Sequence, residues 1–366
     1  MSAKRRAIWR SRSRRGLRDI ADQVVVITGG SSGVGRETAL RFGRAGAEVV
    51  VLARDETKLV ETVALITDQG GTARYIVCDV TDFDAVHSAV AVVERDLGRI
   101  DTWVGNAGVL LYANLVDTDP DDLRDLLDVN VVGQFNGIRA AVPALRRAGG
   151  GALICVTSVE AVVTLPLHSA YAASKRAVEA ALDGLRRELR ADRVPVSVTA
   201  VRPTVIDTPI YRHARSSMPW KPAAPPPYYR PAVVAQAILF AATHPVRTIH
   251  AGGAGRALVA AQTAAPGLLD ALIGLVGSRL MHTDEPTGPQ TGNLRGPDHG
   301  ADSTSNLPRL GRRWSLYTWS MVHPVARSVA LITALTFGAV ILAGRLNASR
   351  VHPGIREIDR WRGPDA

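Results

Sequence analysis

The chain has 366 residues, 46% of them hydrophobic, and a formal net charge of +10. It is longer than one ordinary domain, shorter than three, and apolar enough to bury a sizeable core. The charge sits at the ends: residues 1–19 carry +7 and residues 308–366 carry +6, which leaves −3 for residues 20–307 and argues against a basic nucleic-acid groove in the body of the chain.

Basic ends of this kind fit an anionic surface such as a membrane. Residues 1–19 lack the apolar run of a secretory signal peptide and read as a solvated tail. Two cysteines, Cys78 and Cys155, lie inside apolar runs and read as small buried hydrophobes. Neither a disulfide framework nor metal-ligand spacing is present, so no metal site is expected.

The β-branched run Val24–Thr28 predicts a strand, and it leads directly into Gly29-Gly30-Ser31-Ser32-Gly33-Val34-Gly35. A helical pattern follows and ends near Gly46. Glycines here permit tight backbone angles and close approach of a pyrophosphate, while the helix N-terminus supplies amide donors. Glu48–Ala53 reads as the second strand, followed by Arg54-Asp55. An acid at that strand end bonds a ribose 2′-hydroxyl, whereas an arginine takes a 2′-phosphate. Arg54 therefore points to NADP(H), and Asp55 leaves NAD(H) open.

A third strand over Arg74–Cys78 delivers Asp79, a possible acceptor for an adenine amino group. A fourth, Thr102–Val104, runs into the small residues Gly105-Asn106-Ala107-Gly108, over which a cofactor could pass. Asp117–Leu127 and Val129–Leu145 read as helices, the second containing Asn130, whose amide needs a partner in an apolar stretch. The apolar run Ala152–Val156 reads as a buried strand and places Ser158 just beyond its carboxyl end.

Tyr171 and Lys175 lie four residues apart in a helical stretch extending to about Arg190, so both side chains share one face. A nearby ammonium favours the phenolate, so Lys175 is expected to pull the phenol below its ordinary pKa of about 10 and suit it to acid–base work. Val194–Val201 reads as a strand interrupted by Pro195, and Arg202-Pro203-Thr204-Val205-Ile206-Asp207-Thr208-Pro209 follows. The proline-rich stretch around Pro219–Pro227, with Met218, Trp220, Tyr228 and Tyr229, reads as a lid over a greasy substrate or as a linker. Pro231–Thr243 reads as a helix, Ala257–Ala261 as a final strand, and Leu268, Leu272, Ile273, Leu275, Val276 and Leu280 as a helical stripe. Residues 282–312 have the composition of a flexible linker. In the C-terminal extension 313–366, Ser328–Gly344 carries no charge, and 325–344 reads as a possible membrane helix near the lower length limit.

Taken together, these motifs resemble the short-chain dehydrogenase/reductase family over about residues 20–262. Thr28-Gly29-x-x-x-Gly33-x-Gly35 matches its cofactor loop, and Asn130, Ser158, Tyr171 and Lys175 match its catalytic tetrad. Two departures stand out: Gly105 replaces the first asparagine of Asn-Asn-Ala-Gly, and Thr204 replaces the glycine of Pro-Gly, which raises a question about the backbone there. The resemblance implies an α/β fold: a Rossmann-type, doubly wound parallel sheet in three α/β/α layers, here with a C-terminal helical extension. The catalytic domain would span 20–281.

The same resemblance implies cofactor contacts from Thr28, Gly29, Ser31, Ser32, Gly33, Val34, Gly35, Arg54, Asp79, Val80, Asn106, Ala107, Gly108, Tyr171, Lys175, Pro203, Ile206 and Thr208. Tyr171 would exchange the substrate proton, and Lys175 would tune it and bond the nicotinamide ribose. Ser158 would hold the substrate oxygen, and Asn130 would position a water of the proton relay. The expected activity interconverts a carbonyl and a secondary alcohol. The apolar residues Leu110, Leu111, Val162, Leu165 and Trp220 suggest a lipophilic small-molecule substrate. The alternatives are a sugar or polyol substrate and a non-catalytic NADP-binding scaffold. A homo-oligomer is expected, with the catalytic domain in the cytoplasm, free or membrane-associated, and no nucleic-acid partner.

Overall fold

The computed structural model describes residues 17–296, 311–325 and 328. Its strands begin where β-branched residues crowd together: β1 Val24–Thr28, β2 Glu48–Ala53, β3 Thr72–Val77, β4 Thr102–Gly105, β5 Gly151–Val156, β6 Val196–Pro203 and β7 Thr248–Ala251. They form one seven-stranded sheet in the order β7-β6-β5-β4-β1-β2-β3, with every neighbouring pair parallel. The order reverses between β1 and β4, which opens a crevice at the strands' carboxyl ends.

Parallel strands must be covered on both faces, because their crossovers are helices. Side-chain alternation in the strands divides the core accordingly. Val25 and Ile27 of β1 and Ala152 and Ile154 of β5 pack with helices α1 Gly33–Arg44, α2 Glu56–Asp68 and α7 Pro231–Thr243. Val24, Val26, Leu153 and Cys155 pack on the other face with α3 Phe83–Leu97, α5 Gly133–Arg147 and α6 Ser169–Ala191. The remaining long elements are α4 Pro120–Leu127, α8 Gly253–Ala264 and α9 Pro266–Leu280.

The last strand lies earlier than the sequence suggests. Ala257–Ala261 belongs to α8, and the sheet ends instead with Thr248–Ala251. A five-residue apolar run fits strand or helix equally; here the helix that continues to Ala264 decides. Residues before α5 also depart from a plain helix: Asp128–Val132 form a π-turn that carries Asn130. Pro195 stands just outside β6, where its missing N–H costs the sheet nothing, and its carbonyl accepts from Gly151 N–H at 3.3 Å.

The stripe on α9, which could pack on the domain or serve a membrane or dimer surface, is mostly exposed. Leu268, Leu272, Leu275, Val276 and Leu280 are exposed, and only Leu269 and Gly277 of this helix are buried. Trp220–Pro222 pairs antiparallel with His282–Pro286, so the first part of the linker-like composition is built into the domain. Residues 287–296 continue along it, with Leu294 buried. A second unit begins at Trp319. Among the described residues no helix is long and apolar enough to cross a membrane. The expected membrane helix 325–344 falls, apart from Val325 and Ser328, outside the described residues, as does the basic tail up to residue 16.

Candidate active site

The crevice holds a cavity of about 260 Å³ that runs from Arg54 and Asp79 at one end to Ser158, Tyr171 and Tyr211 at the other. Its first half is made largely of backbone. β1 ends in Gly29 with φ +65°, and Gly33 opens α1 with φ +52°. A Cβ at Gly29 would lie 2.9 Å from Ala107 Cα, and one at Gly35 would collide with the Gly29 carbonyl. These two positions accept glycine alone for reasons of space. Ser32 makes no side-chain cap, so the N-terminal amides of α1 meet the cavity lined by Ser31, Ser32, Gly33 and Val34. A cavity wall of amide donors at a positive helix end fits a pyrophosphate.

Thr28 and Asn106 tie this turn to β4. Thr28 Oγ1 accepts from the amides of Asn106 (2.9 Å) and Ala107 (3.1 Å). Asn106 Nδ2 donates to the carbonyls of Thr28 and Gly29, both at 3.1 Å. Thr28 and Gly35 thus shape the wall from behind, whereas Gly29, Asn106, Ala107 and Gly108 line it. Asp79, Val80, Pro203, Ile206 and Thr208 line it too. Asp79 Oδ1 accepts from Thr81 N–H and Oγ1–H, both at 2.9 Å, which fixes the carboxylate at the β3 end.

Arg54 and Asp55 both line the nucleotide end of the cavity. Asp55 is the N-cap of α2 and accepts from Lys58 N–H at 3.1 Å. Arg54 lines the cavity, 3.9 Å from Asp79, and donates through Nη2 to the carbonyls of Asn293 (3.0 Å) and Gly296 (3.4 Å).

The second half of the cavity is built from side chains. Tyr171 and Lys175 project from the same face of α6, with Lys175 Nζ 5.6 Å from the phenol ring centroid. Ser158 Oγ accepts from Glu160 N–H at 3.0 Å. Contrary to the sequence expectation, the Tyr171 pKa is raised: burial dominates, the Glu160 charge adds to it, and the neighbouring Ser158 hydroxyl opposes both. Lys175 is itself desolvated and lowered to about 8. Burial acts against both charged forms and dominates both shifts.

Asn130 does not reach the cavity. Its Oδ1 accepts from Val109 N–H (2.8 Å), and its Nδ2 donates to Val109 O (3.0 Å) and Ser174 Oγ (3.1 Å). The side chain therefore clamps the π-turn, the loop after Gly108 and α6 together. The departure at Thr204 is also accommodated: its hydroxyl donates to Ala251 O at 3.0 Å, and Gly252 and Gly255 leave room for its branches.

Of the expected apolar lining, Leu110 and Leu165 reach the cavity. Leu111 is buried in the core beside it, and Val162 and Trp220 lie outside the lining, Trp220 in the short pairing with His282–Pro286. Sequence reasoning missed Glu160, His168, Tyr211, His213 and Asn293, all of which line it. Glu160 and His168 pair at 3.1 Å between the serine and the tyrosine, and two ionisable residues in that largely apolar interval were the available signal. Both cysteines are buried free thiols, raised by burial to about 11 (Cys78) and about 12 (Cys155), and so are unreactive. Among the described residues no side-chain group could hold a metal ion.

Comparison with known proteins adds the following. The model of the short chain dehydrogenase family matches residues 23–219. Uncharacterized oxidoreductase YxnA of Bacillus subtilis is 35% identical over 326 residues, covering 87% of this chain and 90% of its own length. Probable oxidoreductase EphD of Mycobacterium tuberculosis is 39% identical over 206 residues, 56% of this chain and 34% of EphD. A crystal structure of a short-chain type dehydrogenase/reductase from Mycobacterium marinum superposes with a TM-score of 0.55 at 28% identity, covering 64% of this chain and 96% of that one.

Proposed function

Because the chain belongs to the short-chain dehydrogenase/reductase family, oxidoreductases acting on CH–OH and C=O groups, we propose that it interconverts a carbonyl and a secondary alcohol with NADP(H), on a substrate with a largely apolar body. The observation that carries this reading is the arrangement of one cavity, with an arginine and a glycine-built amide wall at one end and a buried Ser158–Tyr171–Lys175 group at the other.

The cavity fits the cofactor on its own terms. Gly29 and Gly33, both at positive φ, make the turn that presents the α1 amides to a pyrophosphate, and Arg54 suits a 2′-phosphate because a guanidinium presents several donors in a plane. When bound, the nicotinamide supplies or accepts the hydride. In carbonyl reduction Tyr171 gives its proton to the developing alkoxide; in oxidation it takes the proton back. Ser158 holds the substrate oxygen where charge develops. Lys175, whose pKa burial lowers to about 8, stands behind the phenol as a proton relay partner. Burial that raises the phenol's pKa keeps Tyr171 protonated at neutral pH, the form the donor role requires.

Leu110, Leu165 and Ile210 provide apolar walls for the substrate, and the Glu160–His168 pair supplies one polar corner. The test is steady-state turnover with NADPH and NADH over matched panels of lipophilic ketones and ketoses. The expected result is reduction of lipophilic ketones with NADPH preferred. A preference for NADH, or for ketoses, overturns the corresponding half of the assignment. Absence of turnover with tight NADPH binding would instead favour a nucleotide-binding scaffold.

A further inference from the structure

Residues 290–296 lie some seventy positions beyond the stretch matched by the family model, yet one of them, Asn293, lines the cavity. They are anchored at successive points. Gln290 exchanges backbone hydrogen bonds with Ser216 at 2.8 and 3.0 Å, and its carbonyl accepts from Arg215 Nη1 at 3.0 Å. Asn293 N–H donates to His213 O at 3.0 Å. Leu294, 3% exposed, packs in the cluster of Val80, Val109, Leu126 and Val129. Arg295 bonds Asp125 at 2.6 Å and Asp122 at 3.3 Å. Between these anchors the carbonyls of Asn293 and Gly296 face Arg54 Nη2.

We infer that this segment is a cofactor-specificity strap: it holds the Arg54 guanidinium at the ribose end of the cavity so that its remaining donors meet a 2′-phosphate. The inference deepens, and rests on, the NADP(H) reading above. The chemistry of the contact supports it. Carbonyl oxygens orient a guanidinium without cancelling its charge, as a close carboxylate would, and Asp79 stays at 3.9 Å. An arginine fixed beforehand loses less side-chain freedom when the phosphate arrives, so more of the interaction appears as affinity. NAD(H) has no 2′-phosphate and gains little from the arrangement. Asn293 also lines the cavity, which makes the strap part of its wall. Specificity for the phosphate thus depends on two segments roughly 240 residues apart, Arg54 at the end of β2 and the strap.

Two substitutions release the strap by different routes. Gly292 has φ +59°, and a side chain there would run into the backbone of His213 and Arg215, so Gly292→Val displaces it. Leu294→Ala removes its apolar anchor. Dissociation constants for NADPH and NADH are measured by fluorescence titration on the full chain, with hydrogen exchange over 287–296 and a melting curve as controls. In both variants the strap amides should exchange faster and the NADPH constant rise about tenfold, while the NADH constant changes less than about twofold. Faster exchange with an unchanged NADPH-to-NADH ratio overturns the inference. A strap that stays protected through both changes contradicts the anchoring. A wild-type chain that binds NADH as tightly as NADPH overturns the cofactor reading itself, and with it the role of Arg54.

Discussion

The two halves of the cavity are made of different material. The half proposed for the nucleotide is walled largely by backbone, glycine turns and helix amides, with the Thr28 and Asn106 side chains stapling two strand ends together. The substrate half is side chain: Ser158, Glu160, His168, Tyr171, Tyr211 and His213. Backbone recognition depends on a few glycines at fixed spacing, and it serves any ligand carrying a pyrophosphate. Side-chain recognition is assembled from separate segments, and each substitution can redirect it. The first half should fail as a unit when its geometry is disturbed, and the second should fail one function at a time.

The sharpest separation of the two comes from Tyr171→Phe. Removing the proton donor should lower kcat about 10³-fold while NADPH affinity stays within about twofold, read by turnover beside fluorescence titration. Retained turnover would break the division at its centre. Gly35→Ala attacks the other half: the methyl meets the Gly29 carbonyl, overpacking costs about 1–3 kcal/mol, and affinity for NADPH and NADH should fall together. Arg54→Ala should instead weaken NADPH binding about ten- to a hundredfold and leave NADH almost untouched, because a charge-assisted contact of about 1.5–3 kcal/mol is lost for one cofactor alone.

Glu160→Gln is expected to act more gently and only on the chemical half. The carboxylate disfavours the neighbouring phenolate and so raises the Tyr171 pKa. A neutral amide removes that repulsion, the pKa falls, and the pH profile of alcohol oxidation should move to lower pH. A shift upward would contradict the assignment of cause. Smallest of all, Thr204→Gly removes one hydrogen bond to Ala251 and should cost about 1 kcal/mol in a denaturation curve, with turnover nearly unchanged.

The same division explains what the sequence could and could not reveal. β1, β2, α7 and the glycine turn fall at their expected boundaries because strong local patterns lie contiguous in the chain. Tyr171 and Lys175 share a face because helix geometry alone requires it. Their ionisation was misjudged for a physical reason: spacing reveals proximity, but burial depends on everything packed around the pair. Glu160 and His168 were visible as types and invisible as a pair, since their meeting depends on the turn between β5 and α6. The strap was hidden most completely. Most of its anchors use backbone atoms, which any composition supplies, and its two glycines, set between Pro289 and Pro297, read as linker. The mistaken Ala257–Ala261 strand shows the related limit that a short apolar run has no period of its own.

The central claim is that a hydride passes directly between a nicotinamide and a substrate carbon held beside Tyr171. Incubating the full chain with NADPH deuterated on the transferred face, together with the ketone panel, tests it most directly. The account predicts one deuterium retained on the carbinol carbon of the product, at a rate that collapses in Tyr171→Phe. Product formed without the label, or formed equally fast by the phenylalanine variant, would contradict it.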